Sequence, residues 1–213
     1  QPFLTLQVTR AKAGGWQVSG TRANAESLPF ADHSIDLVID NENMADMTPV
    51  QLSRNELTCG VGETAQHQEA LAWIRRLRLP IEANPPESVI FNLGPIRFVA
   101  ELWRVLKPGG RAFLTEFGIE AGWPAPVKLP GHTEYEVQYS HLRQAVRWLG
   151  FQERYLPLPQ FLGLKPDTKV LCTGAAYTIQ RFCQSINQPF AVRAYTEKEL
   201  QQALGDMLPK LQG

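Results

Sequence analysis

The chain has 213 residues, enough for one domain with a sizeable core, and its 21 basic residues match its 21 acidic ones. No field of one sign therefore recommends nucleic acid or an anionic membrane as a partner, and no apolar run reaches the roughly 18 residues that span a bilayer. Three scattered cysteines, Cys59, Cys172 and Cys183, exclude a disulfide framework or a metal knuckle and suit a reducing, cytoplasmic setting.

The chain opens on Gln1 rather than Met, as processed or truncated chains do. Phe3 to Thr9 reads as a short strand, and Gly14-Gly15 break any helix after it. Trp16 to Ala23 alternates as a second strand, which delivers Asn24, Ala25 and Glu26 to a polar corner. The chain then turns through Leu28-Pro29-Phe30, with Asp32 and Ser34 as caps. Ile35 to Ile39 is nearly all apolar, as parallel strands buried on both faces are. It stops at Asp40-Asn41-Glu42-Asn43, where such a strand reaches its carboxyl end. Two polar corners of this kind suit an open α/β sheet, whose ligands sit outside the carboxyl ends of the strands.

A long interval follows, Met44 to Ser88. Residues 47–88 are expected to form an inserted helical lid or substrate element, or else an extra packing layer. Its helix runs from about Thr64 to Leu79 and stops at Pro80, and Arg75, Arg76 and Arg78 form a solvated face. Cys59 to Ala65 matches the letters of a glycine-rich nucleotide loop but lacks the hydrophobic strand that such a loop follows. Asn92 to Pro95 is a turn into a helix with Phe98, Leu102, Val105 and Leu106 on one face. Lys107-Pro108-Gly109-Gly110 closes that helix, and Arg111 to Phe117 is the next strand, with Glu116 near its end.

Gly122 to His132, rich in proline, is expected to be loop. Ser140 caps a helix from His141 to Leu149, and Phe151 to Leu158 resumes as strand. Val170 to Ser185 is expected to hold a short strand and a helix. Thr196-Glu197-Lys198-Glu199 is a capping box that opens a final helix through about Leu208.

Two stretches carry a resemblance. Ala23-Asn24-Ala25-Glu26-Ser27-Leu28-Pro29-Phe30 running into Ile35-Asp36-Leu37-Val38-Ile39-Asp40 looks like the middle of class I S-adenosylmethionine-dependent methyltransferases. Phe98 to Gly118, with its helix, Pro-Gly-Gly turn and strand, looks like a later part of the same fold. The resemblance implies a three-layer αβα, Rossmann-like and mostly parallel sheet, with S-adenosylmethionine as cofactor. It implies that Asn24 meets the adenine amino group, with Ala25 and Glu26 beside it, and that Leu28 and Phe30 form an apolar wall for the ring. Asp40, Asn41 and Glu42 fall where the family borders the methionine half and the transferring methyl. Each has a plainer role: Asn24 as a turn residue, Leu28 and Phe30 as core, Asp40 to Glu42 as caps.

Two departures stand beside these matches. Gln7 occupies the place where the family usually has an acidic residue for the ribose hydroxyls, and a neutral amide loses the charge assistance. The family's first strand and glycine-rich loop should precede Phe3, so the chain is expected to belong to a longer polypeptide or to need a complementing N-terminal segment or partner chain.

Methyl transfer from a sulfonium is an in-line displacement, in which an enzyme mainly aligns the nucleophile and removes water. A general base is needed only when the acceptor carries a proton, and Glu42, His132 and Tyr135 are the expected catalytic side chains, with Glu116 and His141 as further candidates. A small-molecule acceptor is the expectation; the alternative is a catalytically silent module that binds or completes a partner. No Gly-x-Ser-x-Gly elbow marks a hydrolase, and the four histidines show no ligand spacing along the chain, so no metal is expected.

Overall fold

The computed structural model describes residues 19–129 and 131–163, with short pieces at 168–169, 195–196, 198 and 201–202. The expected strand at Phe3–Thr9 with Gln7, the Val170 to Ser185 region and most of the final helix lie outside the described residues, as do 16–18 of the expected Trp16 to Ala23 strand, whose remainder, 19–23, is described and is not a strand. The chain divides into two units, Gln1–Glu153 and Arg154–Gly213.

In the first unit, residues 19–23 hold no regular structure, and a single bridge joins Asn24 to Ser27. Ile35–Asn41 forms the first strand, β1. A 3-10 turn at Met44–Asp46 leads to β2, Val50–Ser53. Helix α1, Arg54–Cys59, starts in a capping box between Ser53 and Glu56 and ends at Gly60 in the left-handed region. Helix α2, Ala65–Leu77, is capped by Thr64, whose side chain accepts from the His67 N–H. Strand β3, Ser88–Phe91, returns antiparallel to β2 and closes this segment at its base.

Helix α3, Leu93–Val105, connects onward to β4, Leu106–Thr115, which lies parallel to β1. A parallel pair needs such a crossover, because a tight turn cannot bring the second strand back in the same direction. Lys107-Pro108-Gly109-Gly110 does not simply end the helix. The register jumps from Ile35 opposite Leu106 to Leu37 opposite Arg111, so these residues bulge within β4 itself. Gly110 is required there, since a Cβ would fall 2.9 Å from the Lys107 carbonyl oxygen.

Strands β5, Gly118–Ile119, and β8, Val137–Gln138, form a second parallel pair. Between them β6, Pro126–Leu129, and β7, His132–Tyr135, make an antiparallel hairpin where loop was expected. Proline is tolerated at the first residue of a strand, and Gly131 supplies the positive φ of the turn. Helix α4, Tyr139–Trp148, begins two residues before the expected start, and its cap is the Gln138 side chain, which accepts from the Ser140 N–H. Phe151 to Pro157 is not a strand. Phe151 is instead a packing residue, edge-on to Trp103 at 5.0 Å.

The described architecture is mixed α/β, built from parallel and antiparallel strand pairs with helices against them. Its core takes Leu52 and Phe91 from β2 and β3, Leu71 and Ile74 from α2, Ile96 and Leu102 from α3, and Leu142 from α4. In α2 the buried Leu71, Ile74 and Leu77 recur three apart, so that helix buries one stripe, whereas α3 buries all of Leu93 to Ile96 in its first turn and narrows to Phe98, Leu102 and Val105 later. The second unit contains a short helix α5, Leu158–Phe161, and an antiparallel pair, β9 (Thr168–Lys169) with β10 (Tyr195–Thr196). No helix among the described residues is long and apolar enough to cross a membrane.

One expectation about β1 fails. Leu37 is 55% and Ile39 69% exposed, so this strand is not buried on both faces. Among the described residues its sole strand partner is β4, and its apolar side chains border an open hollow.

Candidate functional site

Helix α3 builds the site through a polar stripe flanking its buried face. Arg97, Glu101 and Arg104, spaced four and three residues apart, share one side of the helix. All three grip the segment from Glu26 to Asp32. Arg97 Nη1 donates to Glu26 Oε2 at 2.9 Å, and Glu101 accepts the Leu28 N–H at 2.8 Å. Arg104 donates to the carbonyl oxygens of Leu28 and Phe30 at 2.8 and 2.7 Å, and to Asp32 at 2.9 Å. Glu26 also accepts the Thr48 N–H at 2.8 Å. The first turn of α3 approaches closely enough that a Cβ at Gly94 would fall 2.7 Å from Glu26 Oε1 and 2.5 Å from Thr48 N. Glycine is what lets the helix, the Glu26 carboxylate and the Met47–Thr48 backbone meet.

So held, the segment forms one wall of a hollow of about 360 Å³. Ala25, Leu28 and Phe30 line it on that side, Ile35 and Leu37 to Asp40 of β1 on another, and Phe98 of α3 closes it. The volume lies at the small end of the roughly 300–1,000 Å³ found for small-molecule sites, and the lining is mostly apolar, as such sites are. Asp40 is its chief polar group. Its Oδ1 accepts from Asn43 Nδ2 at 3.0 Å, while Oδ2 is buried without a hydrogen-bond partner. Burial raises the proton affinity of this carboxyl, and the Asn43 bond opposes that only in part.

Of the residues expected to hold a cofactor, Ala25, Leu28 and Asp40 come together around this hollow. Asn24 is exposed and outside the lining, with its Oδ1 accepting from the Glu26 N–H at 2.9 Å, the geometry of a local turn. Both carboxylate oxygens of Glu26 already serve Thr48 and Arg97. Asn41 accepts from the Thr115 hydroxyl at 2.7 Å, also outside the lining. Gln7 lies outside the described residues.

At the carboxyl ends of β1 and β4, Glu42 is exposed, has φ 51°, and donates its N–H to the Thr115 carbonyl. Glu116 is half-buried beyond it. Burial raises its proton affinity against the N–H groups of Ala45 and Phe117 that stabilise the anion, and the Glu42 charge pushes the same way as burial. Tyr139 donates its hydroxyl to the Glu116 carbonyl at 2.5 Å. His132 and Tyr135 stand on β7 and do not line the hollow; His132 faces Glu134 and Asp46 instead.

Searches against protein-family models, curated proteins and solved structures match nothing to this chain.

The geometry also places two features that were weighed in the sequence. The Cys59–Thr64 loop wraps a carboxylate of its own chain: Glu56 accepts from the Glu63 N–H at 3.0 Å and from His67 at 2.6 Å. A buried negative charge occupies the place a phosphate would need. His141 is buried rather than solvated, 8% exposed, with Trp123 and Phe91 rings 5.6 and 6.3 Å away. Burial pushes its pKa down to about 4, whereas the unfolded chain takes the proton near 6.5. Stability is therefore expected to fall as pH drops through that window. His141→Phe is expected to flatten the loss by roughly 3 kcal/mol, read from urea denaturation at pH 7 and pH 4.

Sequence inspection overlooked Phe98 as a lining residue and the Arg97, Glu101 and Arg104 clamp. The clamp had a signal: three long charged residues at helical spacing, each directly before one of the apolar residues Phe98, Leu102 and Val105.

Proposed function

We propose that this chain contributes an S-adenosylmethionine-binding hollow of methyltransferase type and supports methyl transfer to a small-molecule acceptor. The observation that carries this is the meeting of Ala25, Leu28 and Asp40 around one apolar hollow beside a strand pair of parallel sense. The apolar wall suits an adenine face. The unpartnered Asp40 oxygen suits an amino or hydroxyl donor, or the positive sulfonium. Where the acceptor carries a proton, Glu116 is the base this reading favours over Glu42, because burial raises its proton affinity.

Calorimetric titration of the full-length protein with S-adenosylmethionine and S-adenosylhomocysteine is the test. Binding of both is expected, and Asp40→Leu is expected to weaken it about tenfold or more, the worth of one hydrogen bond to a charged group. Leu28→Trp, which fills the hollow, is expected to abolish it with an unchanged circular dichroism spectrum. No heat from either ligand at millimolar concentration sinks the proposal. A second reading, a silent module covered by a partner, draws on the exposure of Leu37, Ile39 and Phe113 along β1 and β4. It is preferred if the titration is blank.

A further inference from the structure

We propose that Asp46, His132 and Glu134 form a binding site for one divalent transition-metal ion, which fastens the β6–β7 hairpin to the turn that follows β1. The three donors come from two separate segments. Asp46 ends the 3-10 turn after β1, and His132 and Glu134 stand two residues apart on β7. Side chains two apart on a strand share a face, so both project from the same side of the hairpin.

His132 Nε2 lies 2.9 Å from Glu134 Oε1 and 3.6 Å from Asp46 Oδ1, and the three atoms all lie within 4.8 Å of one another. A ring nitrogen carries at most one proton and can donate it to one carboxylate only. At 2.9 Å it serves Glu134; Asp46 at 3.6 Å is beyond hydrogen-bond reach of that atom. Asp46 thus brings a second negative charge to a nitrogen with no second proton to give. Even a protonated imidazole brings one positive charge to two carboxylates, whereas a divalent cation among the three donors brings two. Metal–ligand bonds of about 2.0–2.2 Å put adjacent ligand atoms roughly 3.0–3.5 Å apart, which the two measured separations bracket. One imidazole and two carboxylates, without a thiolate, suit Zn²⁺ or Mn²⁺ rather than a soft ion. His132 and Asp46 are about half exposed, which leaves room for water to complete the coordination.

The test uses the full-length, tag-free protein after chelator treatment, with Mn²⁺ and Zn²⁺ as probes. One equivalent of each is expected to bind, and Asp46→Asn, His132→Ala and Glu134→Gln are each expected to weaken binding tenfold or more. Cys59→Ser is expected to leave it unchanged. In the wild type, Mn²⁺ is expected to broaden the ring resonances of His132 and spare those of His33, His67 and His141, a readout independent of any variant's folding. Failure of both ions to bind, binding undiminished in Glu134→Gln and His132→Ala, or broadening centred on another histidine overturns the proposal.

Discussion

Arg97→Met is expected to destabilise the protein by about 3–5 kcal/mol in urea denaturation, the cost of stranding a buried carboxylate. Arg97 joins two acids. It donates to Glu26 at 2.9 Å and to both oxygens of Glu69 at 3.0 and 2.6 Å. The Glu26 side chain is only 9% exposed, and without the guanidinium it keeps only Thr48, through its N–H and its side chain. Burial alone would raise the Glu26 pKa; the Thr48 and Arg97 bonds outweigh it and hold the carboxyl below its ordinary value. Lys107 and Asp36 provide the contrast. Their pair is as short, 2.8 Å, but both side chains are exposed. Lys107→Met is therefore expected to cost less than about 1 kcal/mol. The difference between the variants separates buried from solvated pairing at similar distance. A second readout links the pair to the hollow: Arg97 holds the segment carrying Ala25 and Leu28, so Arg97→Met is also expected to weaken the proposed S-adenosylmethionine binding under conditions where it remains folded. Equal stability losses for the two variants would refute the assignment of Glu26 as a buried anchor.

The other large effect is expected at Glu56, which is 3% exposed. Its carboxylate accepts from the Ser53 N–H at 2.9 Å, the Ser53 hydroxyl at 2.8 Å, the Glu63 N–H at 3.0 Å and His67 at 2.6 Å. One side chain thereby satisfies the start of α1, the loop after it and the first turn of α2. Glu56→Ala leaves several donors without an acceptor, and a loss of about 3–5 kcal/mol is expected. Burial opposes ionisation here, but these hydrogen bonds prevail and hold the carboxyl at about 2, against 4.5 for an ordinary glutamate. A carboxyl with a depressed folded pKa stabilises fully above the unfolded value, so this contribution is present above pH 4.5 and fades as pH falls toward 2. Glu56→Ala is expected to remove that part of the acid transition. An unchanged acid profile in the variant would show that other carboxylates carry it.

Much of the local structure was legible in the residues. The apolar-periodic run from about Thr64 announces α2, and Thr64 proves to be its cap, accepting from the His67 N–H. Phe98, Leu102 and Val105 announce the buried face of α3. These signals work because a helix is closed by bonds between residues a few positions apart, and its caps lie within the same short stretch. Strand pairing is different. Gly122 to His132 reads as loop from its prolines and glycines, yet Pro126–Leu129 and His132–Tyr135 form a hairpin, because the pairing of Val127 with Glu134 is absent from either segment alone. Lys107 to Gly110 reads as a helix stop, yet bulges within β4, because Ile35 and Leu37 of β1 set its register.

The sequence by itself determined where α2, α3 and α4 lie, though not α1 or α5, together with the apolar strand Ile35 to Ile39 and the polar corners at Asn24 to Glu26 and Asp40 to Asn43. Only the tertiary structure decided what those corners do. It turned Glu26 into a buried partner for Arg97, 71 residues away, and left Asp40 with an unanswered oxygen at the hollow. It also brought His132 to Asp46. The physical reason is range: backbone periodicity and capping are settled between near neighbours, whereas the worth of a charge depends on burial and on partners that only the folded chain delivers.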